Sequence, residues 1–406
     1  VEPSVLLEHF RHDVGKMVSL YAPGTFFRPP SSAPAIYKVS IGEKRQQRSY
    51  DIDARLRAAT RMPDLVCILK EQLQEFDTAN LVVAVTSAAK LDDCNEMAGL
   101  DNCPAWWVLL DRLVAVADTL EPRGMSMTAY AAARLLCGDA KLLSALASSG
   151  AKRAPDFGST DIAKSCWAFA KLAYVPPSGT TESGRVCSEF WLAATQEAPR
   201  AVRTAQRFVD TSMIAWAFSS IGLGDKALSD QLLRATLAEC SVLTPRSLAG
   251  MVLAFAKFEC KDEQCFQAVV HRTTDTVAEF GAHDATSLCW GFARLAVVDV
   301  RMFTALADHL SAQQAVVQFS PGLAAELAWA YATAAVFHVG LFEQLQAVFT
   351  RHCHDLETED VAGFAWAFGM AANASCPCLL SKSDAILAKL QEYQMRYGSG
   401  RMRATE

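Results

Sequence analysis

The residues best suited to metal or nucleophile chemistry are thirteen cysteines and eight histidines, and their spacing argues against that use. His352-Cys353-His354 and Cys376-Pro377-Cys378 are the tightest groupings. Tetrahedral sites draw on ligand pairs separated by spacers of two to four residues, which neither grouping has. On a helix, moreover, His352 and His354 point to different sides. Cys260 and Cys265 flank a short polar stretch and read as core or surface thiols, while Cys166 and Cys289 each precede a tryptophan in a slot that small packing residues fill. His271, His283, His309 and His338 have no recurring acid or nucleophile partner. No phosphate-binding glycine loop, dinucleotide fingerprint or His-Glu-x-x-His helix occurs. The expectation is a chain without catalysis, metal or cofactor. An odd cysteine count without paired spacing suits a reducing compartment.

Phosphate chemistry is better supplied. Residues 1–62 hold ten Lys/Arg against six Asp/Glu, with Pro23, Pro29, Pro30 and Pro34 spread through one stretch. This reads as an extended basic arm with a short helix over 6–19. Lys38, Lys44, Arg45, Arg48, Arg55, Arg57 and Arg61 are its phosphate-binding candidates; an ordinary solubilising arm is the alternative. The remainder, 63–406, holds 28 Lys/Arg and 38 Asp/Glu, so the body is acidic. Charge of that sign fits a subunit docked in a larger assembly better than a free factor gripping RNA along its whole length.

What must position these residues is a repeat. Ser165-Cys166-Trp167-Ala168-Phe169-Ala170-Lys171-Leu172 returns as Ile214–Ile221, Val252–Phe258, Leu288–Leu295, Leu327–Thr333 and Phe364–Met370, with weaker copies around Thr86 and Tyr130. Anchored on the tryptophan position (Thr86, Tyr130, Trp167, Trp216, Leu253, Trp290, Trp329, Trp366), the spacings are 44, 37, 49, 37, 37, 39 and 37 residues. Five of the eight tryptophans fall in this register. Ten residues before seven of the eight anchors stands a second large apolar residue, Phe76, Leu120, Phe157, Leu243, Phe280, Phe319 or Leu356; the Trp216 copy has Phe208 eight residues ahead instead. Asp161, Asp210, Asp284 and Asp360 lie between the two and suit the exposed amides of a helix's first turn. Each anchor phrase is followed by a second stretch of helical periodicity, at 227–237, 264–277, 300–310, 341–349 and 384–393.

Each unit therefore reads as two helices, and its composition shows why it needs neighbours. Phe169, Phe218, Phe255, Phe292, Tyr331 and Phe368 stand two residues after the anchor, about 200° around the helix from Trp167, Trp216, Trp290, Trp329 and Trp366. Such a helix is apolar on two sides and must be covered by its partner and by an adjacent repeat. These rings are the expected repeat core. With 67 alanines allowing close helix approach, the fold class is all-α: an α-solenoid of about eight helical hairpins with a period near 37 residues over 63–397. A polar tail occupies 398–406, and the intervals 92–104 and 174–184 read as surface loops. No segment is apolar for long enough to predict a membrane span.

Four residues beyond the anchor come Lys90, Arg134, Lys171, Ser220, Lys257 and Arg294, five of the six basic. Stacked at a helix-packing step of about 10 Å, they form a row of charge able to follow a phosphate backbone. The same i,i+4 relation to the tryptophan also lets each stem cover a ring while its charge reaches water. Both roles stay open on sequence.

The repeated Leu/Cys-Ala-Trp-Ala-Phe-Ala-Lys/Arg-Leu phrase, best in Trp167–Leu172 and Trp290–Leu295, resembles the heptatricopeptide repeats of apicomplexan and dinoflagellate organelle proteins. It is also similar to the octotricopeptide repeats of green algae and to the helical region of FAST-kinase-like proteins. The resemblance covers about residues 76–397. It implies organellar RNA binding, and for this acidic chain a structural, RNA-contacting subunit of a mitochondrial ribosome in the mitochondrial matrix. Its partners would be ribosomal RNA and mitochondrial ribosomal proteins. A dissociable RNA stability or processing factor, or a pure protein-interaction scaffold, are the rival expectations.

Overall fold

A computed structural model describes residues 43–91, 100, 102–174, 182–352, 356 and 358–373. Lys38, Cys353, His354, the Cys376-Pro377-Cys378 cluster, the helices expected over 6–19 and 384–393 and the tail 398–406 lie outside the described residues. Within them are seventeen α-helices and no strand. Two compact units divide between Leu228 and Ser229.

The first unit contains α1 (Glu43–Ala58), α2 (Met62–Gln72), α3 (Thr78–Leu91), α4 (Pro104–Val116), α5 (Pro122–Arg134), α6 (Ala140–Arg153), α7 (Ser159–Lys171), α8 (Glu182–Thr204) and α9 (Phe208–Ile221). Odd helices pack on odd (α1 on α3, then α5, α7 and α9), and even helices on even, from α2 through α8. That is a stack of helical hairpins. After α10 (Lys226–Glu239), the second unit repeats the plan with α11 (Pro245–Lys257), α12 (Glu263–Asp275), α13 (Ala282–Arg294), α14 (Val300–Ala312), α15 (Pro321–Thr333), α16 (Val339–His352) and α17 (Thr358–Asn373). Here α11, α13, α15 and α17 pack in one series, and α12, α14 and α16 in another. Among the described residues no helix is long and apolar enough to cross a membrane.

The same local chemistry builds each hairpin. Proline stands in the first turn of α2, α4, α5, α11 and α15, where its missing N–H is no loss. Even helices start on a capping aspartate: Asp139, Asp225, Asp262 and Asp299 accept the N–H of Leu142, Leu228, Cys265 and Met302 at 2.8–2.9 Å. His338 Nδ1 does the same for Leu341 at 3.1 Å. All five caps stand nine residues after the anchor position. Odd helices close through one left-handed residue, Leu136, Ala173, Gly222, Glu259, Ala296 or Ala335. The residue after it donates its N–H back to a carbonyl of the last turn, as in Tyr174 to Phe169 and Val297 to Phe292.

The core lies between the two layers. Phe169, Phe218, Phe255, Phe292, Tyr331 and Phe368 are buried, as are the second anchors Phe76, Leu120, Phe157, Leu243, Phe280 and Phe319. Phe169 meets Phe190 edge-on at 4.5 Å, and Phe292 meets Phe266 at 5.1 Å. Directly after the anchor, Ala168, Ala217, Ala254, Ala330 and Ala367 are fully buried where odd helices meet. Gly291 holds that slot in α13, where a Cβ would lie 2.7 Å from Val252 Cγ1 and 3.0 Å from the Val252 carbonyl oxygen.

The structure departs from the sequence reading at the start of the described chain. Residues 43–58 form a helix and not part of an extended arm: Ile52 and Leu56, one turn apart, are buried, and Asn80 of α3 donates to Ser49 O at 3.0 Å and Asp53 Oδ1 at 3.1 Å. The described stack thus begins one helix earlier than 63. The aspartates expected at the start of the odd helices do lie in the first turn, as Asp161, Asp210 and Asp284 show. Asp161 reaches back to the N–H of Gly158 at 3.2 Å and accepts Ser126 Oγ–H at 2.7 Å. Asp210 accepts Thr160 Oγ1–H at 2.7 Å and Arg207 at 2.9 Å. Each carboxylate ties its helix to the preceding odd helix.

Candidate nucleic-acid interface

The anchor position faces away from the hairpin core. Trp167, Trp290, Trp329 and Trp366 are half-buried, and Trp216 is 37% exposed. The tryptophans expected as core are therefore only partly so, while the ring two residues on is wholly inside. The 200° offset divides the two faces. In the first unit the Tyr130 and Trp167 centroids are 5.1 Å apart, and those of Trp167 and Trp216 6.1 Å, with tilts of 44° and 42°. Trp290 and Trp329 repeat the contact at 6.1 Å in the second unit. Each unit carries a ladder of aromatic rings along its odd-helix face.

The basic row lies beside these ladders unevenly. Lys90 and Arg134 are exposed, and Lys171 is half-buried. Lys164, on α7, stands 5.8 Å over the Tyr130 ring with its Nζ 3.0 Å from Met127 Sδ. Burial and then the nearby Arg207 lower the Lys164 pKa, Arg123 adding to them, while Asp161 and Asp210 oppose. In the second unit Arg294 is bound to Glu259 at 3.0 Å. Lys257 is half-buried, its pKa lowered by desolvation with Glu326 acting against the shift. Ser220, Thr333 and Met370 interrupt the row.

The N-terminal candidates are placed differently again. Folding α1 against α2 brings Glu75 to Arg48 at 3.4 Å and Glu71 to Arg55 at 3.1 Å, while Arg57 pairs within α1 with Asp53 at 3.1 Å and Arg61, between the two helices, pairs with Asp64 at 3.0 Å. These pairs are exposed and individually weak, yet they balance the charge that a free arm would offer to phosphate. Lys44 and Arg45 belong to the first turn of α1.

Several cations that sequence reasoning passed over are structural. Arg112 donates to the carbonyls of Leu73 and Phe76, Arg153 to Leu120, Arg200 to Phe157, and Arg272 to Leu243. His309 Nε2 meets Phe280 O at 3.1 Å, and Arg351 donates to Val317 O at 2.8 Å. In each case a cationic or imidazole side chain from one even helix binds carbonyls where the preceding even helix ends, the favourable end of its dipole. None of these residues lies on the odd helices that carry the repeated phrase. The separations here run from 29 to 43 residues, so no fixed spacing announces them.

Four of the described thiols are shifted away from nucleophile chemistry. Burial pushes Cys265 and Cys289 up to about 12 and Cys187 up to about 11, and Cys166 is shifted in the same direction. Thiols so raised are inert at neutral pH. Among the described residues no group of three or more His, Cys, Asp or Glu is placed to hold a metal ion. Comparison with protein-family models gives no match, and comparison with curated proteins gives none either.

Proposed function

We propose that the chain is a structural, RNA-contacting subunit of a mitochondrial ribosome, holding ribosomal RNA and neighbouring proteins on heptatricopeptide-like hairpins with a period near 37 residues. One observation carries the RNA reading: ladders of part-exposed rings run along the odd-helix face with lysines and arginines beside them. Aromatic faces take unpaired bases and adjacent cations take phosphates, the two needs of single-stranded RNA. The ribosomal part rests on the repeat resemblance and on the net charge of −6, which suits a subunit whose assembly supplies further cations.

Co-sedimentation tests the reading. The native chain is expected to travel with ribosomal subunits through moderate salt and to be released by ribonuclease. Association with a single transcript away from ribosomal subunits would instead favour a dissociable maturation factor. Retention of every partner after ribonuclease would overturn the RNA reading in favour of a protein scaffold.

A further inference from the structure

We propose that RNA contact is confined to the first unit, where single-stranded RNA lies along Tyr130, Trp167 and Trp216 with its phosphates on Arg123, Arg134 and Lys164. This rests on the RNA reading above and adds to it a location that sequence periodicity does not supply, since the anchor phrase runs equally through both units.

Charge separates the two ladders. Residues 43–228 hold 21 Lys/Arg and 22 Asp/Glu, whereas residues 229–373 hold 8 and 16. The difference is sharpest on the odd-helix face. Three residues before its tryptophan, α7 places Lys164, but α15 places Glu326 at the same position. Arg294, the best basic candidate of the second unit, is bound by Glu259 at 3.0 Å, and Lys257 has Glu326 in its field. A polyanion approaching Trp290 and Trp329 therefore meets a face whose cations are already offset.

Around Tyr130 three cations, Lys164, Arg123 and Arg207, stand with two acids, Asp161 and Asp210. Lys164 stands 5.8 Å over the Tyr130 ring, and after desolvation the positive charges of Arg207 and Arg123 act against its own, with Asp161 and Asp210 opposing. Asp161 also accepts Ser126 and the Gly158 amide, while Asp210 accepts Thr160 and pairs with Arg207 at 2.9 Å, which is why Arg207 is not among the phosphate contacts. An incoming phosphate would relieve that repulsion. The rings already touch, so bases lie along the ladder and not between its rungs; Trp216, the most open of the three, offers the largest free surface. Acidic peptides satisfy the cations but not the rings, which is why RNA is the occupant the site favours.

The test uses the full chain and a fluorescein-labelled oligouridylate of about twelve nucleotides, within the span of single-strand sites, followed by anisotropy across a salt series. Replacing three cations in R123Q/R134Q/K164Q is expected to weaken binding about tenfold and to lower the slope of log K against log salt by about 2. K257Q/R294Q should stay within about twofold of the parent, because its charges are offset. Trp216→Ala should cost about tenfold, with Trp216→Phe retaining most of the affinity. Melting curves establish that each variant is folded. If the parent binds and the second-unit variant loses as much as the first-unit one, or neither loses, the location is wrong while the RNA reading stands. A parent chain that ignores oligouridylate, or that binds poly-aspartate of equal charge as tightly, overturns both.

Discussion

Replacing Gly291 with alanine tests whether the helices stack as closely as the repeat requires. In an exposed helix interior the change is favourable by about 1 kcal/mol, because alanine loses less backbone entropy. At Gly291 the new Cβ would meet Val252 Cγ1 at 2.7 Å and the Val252 carbonyl oxygen and carbon at 3.0 and 3.1 Å. The methyl cannot swing clear, since Val252 is buried and its rotamer is restricted in a helix. The carbonyl moves only if α11 moves. Overpacking of this kind costs about 1–3 kcal/mol, which leaves G291A destabilised by about 1 kcal/mol once the propensity gain is subtracted. Gly250 is the internal control: it lies in α11 itself, and a Cβ there meets nothing within 4 Å. G250A should gain about 1 kcal/mol. At about 2–4 °C per kcal/mol for a unit of this size, the two variants should melt on opposite sides of the parent. Equal stabilisation of both would refute the close approach of α11 and α13.

Three further perturbations read other parts of the stack. Ala296→Gly should raise stability by about 0.5 kcal/mol in urea titrations, because φ is +52° at this exposed C-terminal cap and the relief of left-handed strain exceeds glycine's entropic cost. Arg272→Met should cost about 2 kcal/mol by the same assay, removing a charged donor from the Leu243 carbonyl; loss of less than a few tenths would make the tie incidental. Alkaline pH probes the buried thiols. An unfolded thiol ionises near 8.5, but Cys289 stays protonated to about 12 in the fold. Between those values the unfolded state binds fewer protons, so stability falls as pH rises, by about 1.4 kcal/mol per unit for each such thiol. Comparing urea midpoints at pH 8 and pH 10 should therefore show a shallower decline in C289A than in the parent.

Much of this architecture is visible in one dimension because the anchor phrase couples two periodicities. Phe169 and its equivalents are core, and the alanine between tryptophan and phenylalanine is where odd helices touch; both follow from composition and angle alone. The role of the tryptophan is harder to read. A large apolar residue in register suggests burial, and only the next helix shows that these rings cover one another and stay half open. α1 escapes a sequence reading because its arginines dominate its composition, and just two residues, Ile52 and Leu56, carry its apolar stripe. The capping aspartates Asp139, Asp225, Asp262 and Asp299, not among the expected caps, are nonetheless legible at a constant offset from the anchor. The arginine ties to carbonyls are not, because their partners are backbone atoms of another hairpin at irregular separation.

The central claim is that the odd-helix face, and not the N-terminal arginines, carries RNA. Cross-linking native particles that contain 5-iodouridine-labelled RNA, followed by mass spectrometry of the linked peptides, tests it most directly. The account predicts adducts on Tyr130, Trp167 or Trp216. Adducts confined to residues 43–61, to the face of Trp290 and Trp329, or to no part of this chain would contradict it.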